Sequence, residues 1–175
     1  FSFERAGIQP DMVTLSKSIS GYGLPLALVL IKPELDNWLP GEHNGTFRGN
    51  QLAFVGGEAA IKIWHDENIA SQVSQKMRVI ENFLKKSIAV LDPRIEVRGI
   101  GMIWGVDLSQ LQDESLVNDI LMNCFENGLI LESAGRNGQV VKFLPPLNIP
   151  MKVLEQGLEI AKRAFEKGFQ AQIAS

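Results

Sequence analysis

Lys17 stands at the C-terminal end of an apolar run, in Thr14-Leu15-Ser16-Lys17-Ser18, just before the glycine-rich turn Ser20-Gly21-Tyr22-Gly23. A lysine at a strand end can point into a cleft, where a lowered pKa makes its amine nucleophilic. The hydroxyls and free backbone amides around it suit an anion such as phosphate. Lysine is rarely buried, and a lysine between serines is ordinarily a solvated loop residue. Both readings stand on these residues alone. A second polar loop, His43-Asn44-Gly45-Thr46-Phe47-Arg48-Gly49-Asn50, runs directly into an apolar-periodic segment. A helix N-terminus beside threonine and glycine amides is a natural phosphate seat, although Asn50 can equally serve as a simple N-cap.

Other candidates carry less. Gly99-Ile100-Gly101-Met102-Ile103-Trp104-Gly105 has the wrong glycine spacing for a dinucleotide loop, and a strand follows where a helix is required. Thr14-x-x-Lys17 has the bare spacing of a hydroxyl–lysine hydrolase dyad, but companion motifs are missing and Thr14 falls within a strand. His43, His65 and Cys124 are too few and too scattered for a metal site.

The elements that position these residues alternate between strand and helix. Met12–Leu15 and Leu26–Ile31 are short apolar runs and predict strands covered on both faces, as in a parallel or mixed sheet. Residues 36–49 predict a loop. Leu52, Val55, Ala59 and Ile63 recur at helical spacing. Ile69, Val73, Met77, Ile80, Leu84, Ile88 and Leu91 make a longer stripe that Asp92-Pro93 stops. Strands are predicted at Ile95–Val97, Met102–Leu108, Leu129–Leu131 and Val140–Phe143. Helices are predicted over Ser115–Asn127, closed by Gly128, and along Leu154, Leu158, Ala161 and Phe165. A boundary is expected near residue 92, with part of a large α/β domain over 1–92 and a small α+β domain over 93–175.

Composition excludes several classes. The 175 residues are 45% hydrophobic and 21% charged, the composition of an ordinary globular chain. A net charge of −3 lacks the basic footprint of a nucleic-acid binder. The longest apolar run, Leu24–Ile31, contains Pro25 and is too short to span a bilayer. The lone cysteine, Cys124, has no internal disulfide partner, which fits a reducing compartment. A start at Phe1 rather than Met reads as a piece of a longer chain.

Five strings, in order along nearly the whole chain, resemble class III (ornithine/4-aminobutyrate type) aminotransferases. Phe3-Glu4-x-x-Gly7-Ile8-x-Pro10-Asp11-Met12-Val13-Thr14-Leu15-Ser16-Lys17 is similar to the segment around the family's Schiff-base lysine, and Gly21–Pro25 to the turn that follows it. His43–Asn50 is similar to the loop H-x-G-T-[FY]-x-G-N, Arg98-Gly99-x-Gly101 to the start of the C-terminal domain, and Pro145-Pro146-Leu147-x-Ile149 to a late segment. Ser16–Pro25, Pro40–Asn50 and Gly138–Lys142 are worded like the branch of the family that uses diaminobutyrate in ectoine formation.

The resemblance implies an α/β protein, the C-terminal part of a type I pyridoxal-phosphate transferase fold. It implies that Lys17 holds the cofactor and relays a proton. Thr46, with Gly45 beside it, would bind the phosphate of the cofactor in a partner subunit. Lys142 lies where many relatives carry an arginine for the substrate α-carboxylate, and lysine is a point charge rather than a planar fork. The phosphate loop, the ring-stacking aromatic and the aspartate of the pyridine nitrogen all lie upstream of Phe1 in the family. The expected partners are a small-molecule amino donor, a 2-oxo acid and a second copy of the chain in a homodimer or larger homo-oligomer, in the cytoplasm. Other ω-aminotransferase donors (ornithine, acetylornithine, 4-aminobutyrate) and a catalytically silent oligomerisation module are the alternatives.

Overall fold

Two short strands, β1 (Met12–Leu15) and β2 (Leu28–Ile31), pair antiparallel, Met12 opposite Ile31 and Leu15 opposite Leu28. The computed structural model describes residues 1–21, 23–113 and 115–174, the last three by backbone only. Tyr22 of the expected glycine-rich turn lies outside the described residues. Neither strand is covered on both faces, and Val29 and Leu30 are exposed. Of the two expected sheet types, parallel or mixed, this antiparallel pair fits the mixed one. The segment between the strands contains only a 3-10 turn, Lys17–Ser20, whereas a parallel crossover needs a helix-sized connection.

Helix α1 (Gln51–Asp66) follows the polar loop. Asn50 caps it, its Oδ1 accepting from the Ala53 amide at 3.2 Å. The apolar stripe read from the sequence is not the buried face. Leu52 is 70% and Val55 65% exposed, while Ala53 and Gly57 are buried. The helix packs through its small residues on the 3-10 turn. A Cβ on Gly56 would stand 2.6 Å from the Ser20 carbonyl oxygen, and one on Gly57 3.0 Å from that of Ile19. At Gly56 only glycine permits this approach without a shift of the backbone.

The second unit is built on α2 (Ile69–Phe83), which continues into a π-helical turn, Leu84–Ile88. Ile80, Leu84 and Ile88 are fully buried, as their stripe predicts. Strands β3 (Glu96–Ile100), β4 (Ile103–Asp107), β5 (Glu132–Ala134) and β6 (Val140–Phe143) form an antiparallel sheet in the order β3-β4-β6-β5. Helix α3 (Leu116–Glu126) precedes β5, and α4 (Met151–Ala174) follows β6. Trp104, Val106, Val141 and Phe143 from the sheet meet Ile120 and Cys124 of α3 and Leu158, Ala161 and Phe165 of α4 in one core.

The run Leu129–Leu131 is not a strand. Gly128 has φ +85°, its amide donates to Phe125, and the Leu129 amide reaches back to the Cys124 carbonyl at 2.9 Å. This double closure of α3 fixes the residues after it, and pairing starts only at Glu132. The compact units run over Phe1–Asn68 and Ile69–Ser175. They meet well before the Asp92-Pro93 boundary read from the sequence, because the apolar stripe of α2 is spent on the second core.

Candidate active site

Lys17 follows β1 and opens the 3-10 turn that α1 packs upon. Its φ is +61°, one of three non-glycine residues in the left-handed region among those described. That conformation costs an L-residue about 1–2 kcal/mol, and such outliers concentrate at functional sites. The lysine side chain is exposed, and no described residue pairs with its ammonium. Ser20, three residues on, is buried and anchors the turn. The strand, the turn and the glycine face of α1 therefore hold an exposed amine at a fixed place on a strained backbone.

Gly45 and Thr46 stand in an exposed loop in the same unit. The loop is tied to itself: the Arg48 amide donates to the Gly45 carbonyl at 3.1 Å, and the Arg48 guanidinium donates to the His43 carbonyl. The Asn44 side-chain amide donates to the Gly41 carbonyl at 3.2 Å. A groove of about 700 Å³ is lined by this loop and by Pro25–Leu28 and Phe54. Gly45 lines it; Thr46 and Lys17 do not.

Lys142 belongs to the second unit. It lies on β6 directly opposite Glu132 on β5, and their side chains form an ion pair. Lys142 is 28% and Glu132 66% exposed. Hydrogen bonding to Lys142 holds the Glu132 carboxyl below the usual carboxylate range. Both residues line a largely apolar cavity of about 520 Å³ between the sheet edge and α4. The segment after β6 is tethered too, since the buried Lys76 of α2 donates from Nζ to the Leu147 carbonyl at 2.7 Å.

Sequence reasoning missed Glu132 and Lys76. The signal for Glu132 was the register of β5 against β6, lost when the strand was placed at Leu129–Leu131. For Lys76, no pattern within α2 distinguishes a lysine that reaches a distant carbonyl from a solvated one. Cys124 is buried, and desolvation pushes its thiol up to about 11, so it offers no nucleophile. No described helix is long and apolar enough to cross a membrane.

The class-III aminotransferase family model matches residues 1–165. The chain is 46% identical over 165 residues to the diaminobutyrate–2-oxoglutarate transaminase of Wolinella succinogenes, covering 94% of this chain and 38% of that protein. It is 47% identical over 173 residues to the Halomonas elongata protein of the same name, covering 97% and 40%. It therefore spans about two fifths of the length of these relatives. Among solved structures, the ornithine aminotransferase of Toxoplasma gondii, with PLP partly occupying its active site, superposes with a TM-score of 0.86 at 26% identity, over 97% of this chain and 40% of that one. The acetylornithine aminotransferase of Elizabethkingia anophelis gives 0.83 at 27% identity, over 95% and 43%. The fold around Lys17 and the sequence along nearly its whole length agree on one conclusion: this chain belongs to the class-III aminotransferases.

Proposed function

We propose that the chain is the C-terminal part of a pyridoxal-phosphate-dependent aminotransferase that moves the 4-amino group of L-2,4-diaminobutyrate to 2-oxoglutarate. The single observation that carries this reading is Lys17, an exposed and unpaired amine held at a strand end with φ +61°. A lysine kept in a costly conformation with no ion-pair partner fits a covalent anchor better than a surface charge. The donor is supported by the 46–47% identity to diaminobutyrate–2-oxoglutarate transaminases.

The residues present suit the cofactor in part. Lys17 would hold it, and the Thr46 hydroxyl and Gly45 amide would receive the phosphate bound in a partner subunit. When bound, the pyridoxal group supplies the electron sink that lets the carbon beside the reacting nitrogen give up its proton. The free Lys17 amine would take that proton and return it. To do so it must be neutral at the moment of transfer. Lys142 would attract the substrate carboxylate as a point charge. On this reading residues 1–68 complete the large cofactor-binding domain, and the unit from Ile69 is the small domain. The assembly is a homodimer working in the cytoplasm on a path to ectoine.

Borohydride reduction of the full-length enzyme followed by peptide mapping tests the anchor: label belongs on Lys17, and label on another lysine refutes the assignment. A donor panel tests the substrate. If ornithine exceeds diaminobutyrate in kcat/KM by tenfold, about 1.4 kcal/mol, the donor is wrong.

A further inference from the structure

The pair Lys142–Glu132 has a feature that a carboxylate-binding site alone does not need. The two residues are direct cross-strand partners, with the ammonium and the carboxylate in contact. Among the described residues they are the only charged ones lining the 520 Å³ cavity, whose other walls are mainly leucine, isoleucine and proline. The pair is neutral as a unit. A ligand bearing a lone carboxylate would bring an extra negative charge to it and would meet Glu132 as a like charge. A ligand bearing a carboxylate and an ammonium on one carbon brings no net charge, and each of its groups finds an opposite partner. No other charged side chain on the cavity wall competes with the pair for either group of the ligand.

We propose that Glu132 is a specificity-determining residue: together with Lys142 it recognises the zwitterionic head of an α-amino acid, Lys142 taking the carboxylate and Glu132 the α-ammonium. This rests on the aminotransferase reading above and deepens it. A donor that reacts through its 4-amino group keeps its carboxylate and α-ammonium side by side on C2, so an enzyme of this kind can select diaminobutyrate over 4-aminobutyrate at the unreacting end. The partner exchange costs no net charge. In the free protein the two side chains satisfy each other, and the ligand inserts between them.

The test uses the full-length, cofactor-loaded enzyme with Glu132→Gln and two donors, L-2,4-diaminobutyrate and 4-aminobutyrate. Calorimetric titration with L-2-aminobutyrate, which has the zwitterionic head, and with butyrate, which has only the carboxylate, gives a readout independent of turnover. The expected result is a loss of tenfold or more in kcat/KM for diaminobutyrate, mainly in KM, with 4-aminobutyrate unchanged or improved. L-2-aminobutyrate binding should weaken by a similar factor while butyrate binding does not. Glu132→Asp should recover part of the loss. Equal losses for both donors would mean that Glu132 only steadies the edge strand β5, and would overturn the proposal. So would no loss for either, or a wild-type preference for 4-aminobutyrate. A wild-type enzyme that transaminates no donor would refute the aminotransferase reading instead; Glu132-dependent binding of L-2-aminobutyrate by such a protein would leave the recognition site standing.

Discussion

The left-handed backbone at Lys17 can be tested apart from any chemistry. Its side chain is exposed and unpaired, so removing it forfeits almost no packing and no ion pair. What remains is the backbone cost, about 1–2 kcal/mol for any residue with a Cβ. Alanine keeps that cost, and Lys17→Ala should lie within about 0.5 kcal/mol of wild type, the range of ordinary surface substitutions. Glycine removes the cost and adds about 0.5–1 kcal/mol of backbone entropy to the unfolded chain. Lys17→Gly should then be more stable than Lys17→Ala by about 1 kcal/mol, and at least as stable as wild type.

The assay is urea unfolding of the 175-residue chain without cofactor, in which the Lys17 side chain is exposed and bound ligand does not contribute to the difference. The midpoint should shift at unchanged slope. In the full-length enzyme both variants should lose the borohydride-reducible link. A glycine variant no more stable than the alanine one would show that φ +61° is relaxed, and would remove the argument that the fold holds this lysine under strain.

Gly99→Ala should destabilise the second unit by about 3 kcal/mol, at the upper end for overpacking, because its Cβ would stand 2.5 Å from both the Trp104 ring and the Ile103 carbonyl oxygen within one hairpin; hydrogen exchange of the β4 amides reads this, and a cost under about 0.5 kcal/mol, the range of ordinary surface substitutions, would contradict it. Asp92 is held at about 2 by the Arg94 side chain, which donates to both carboxylate oxygens. A depressed carboxylate stabilises above its unfolded pKa near 3.9 and loses that contribution as pH falls toward 2. The stability gap between wild type and Asp92→Asn should therefore be widest above about pH 4 and close toward about pH 2; a gap that does not narrow on acidification counts against the pairing. Cys124 should resist thiol reagents at pH 8 in the folded protein and react on unfolding, as burial and a thiol raised to about 11 require; rapid labelling of the native chain would show that α3 opens readily.

Legibility in the sequence followed the range of the physics. The α2 stripe and β6 were readable because period and punctuation are local: Ile80, Leu84 and Ile88 recur on one face, and Asp92-Pro93 closes the run. The direction of β1 against β2 was not readable, because identical apolar runs serve parallel and antiparallel pairing and only the connection decides. The buried face of α1 was misread for a related reason. Hydrophobic spacing picked Leu52 and Val55, yet the approach to the turn after Lys17 is set by the small residues Ala53, Gly56 and Gly57, which carry little hydrophobic signal. The leucines at 129 and 131 resembled a strand, but the glycine closure of α3 shifted pairing to Glu132. That shift hid the partner of Lys142, since a cross-strand ion pair exists in the sequence only once the register is known.

The residues where local rules fail are also the ones proposed to carry the chemistry. Glycine would suit φ +61° better than lysine, and a nonpolar residue would suit the cavity wall better than either member of the Lys142–Glu132 pair. Natural sequences keep such departures where function outweighs local preference. In the proposed role Lys17 would contribute its amine because β1 and the glycine face of α1 over-determine the turn that carries it. Lys142 illustrates the same logic in charge: a lysine alone could not impose the geometry of a guanidinium fork, but a lysine with a fixed carboxylate opposite presents two charges in a set order. On the proposal above, the pair would restore direction for a ligand that is itself a zwitterion.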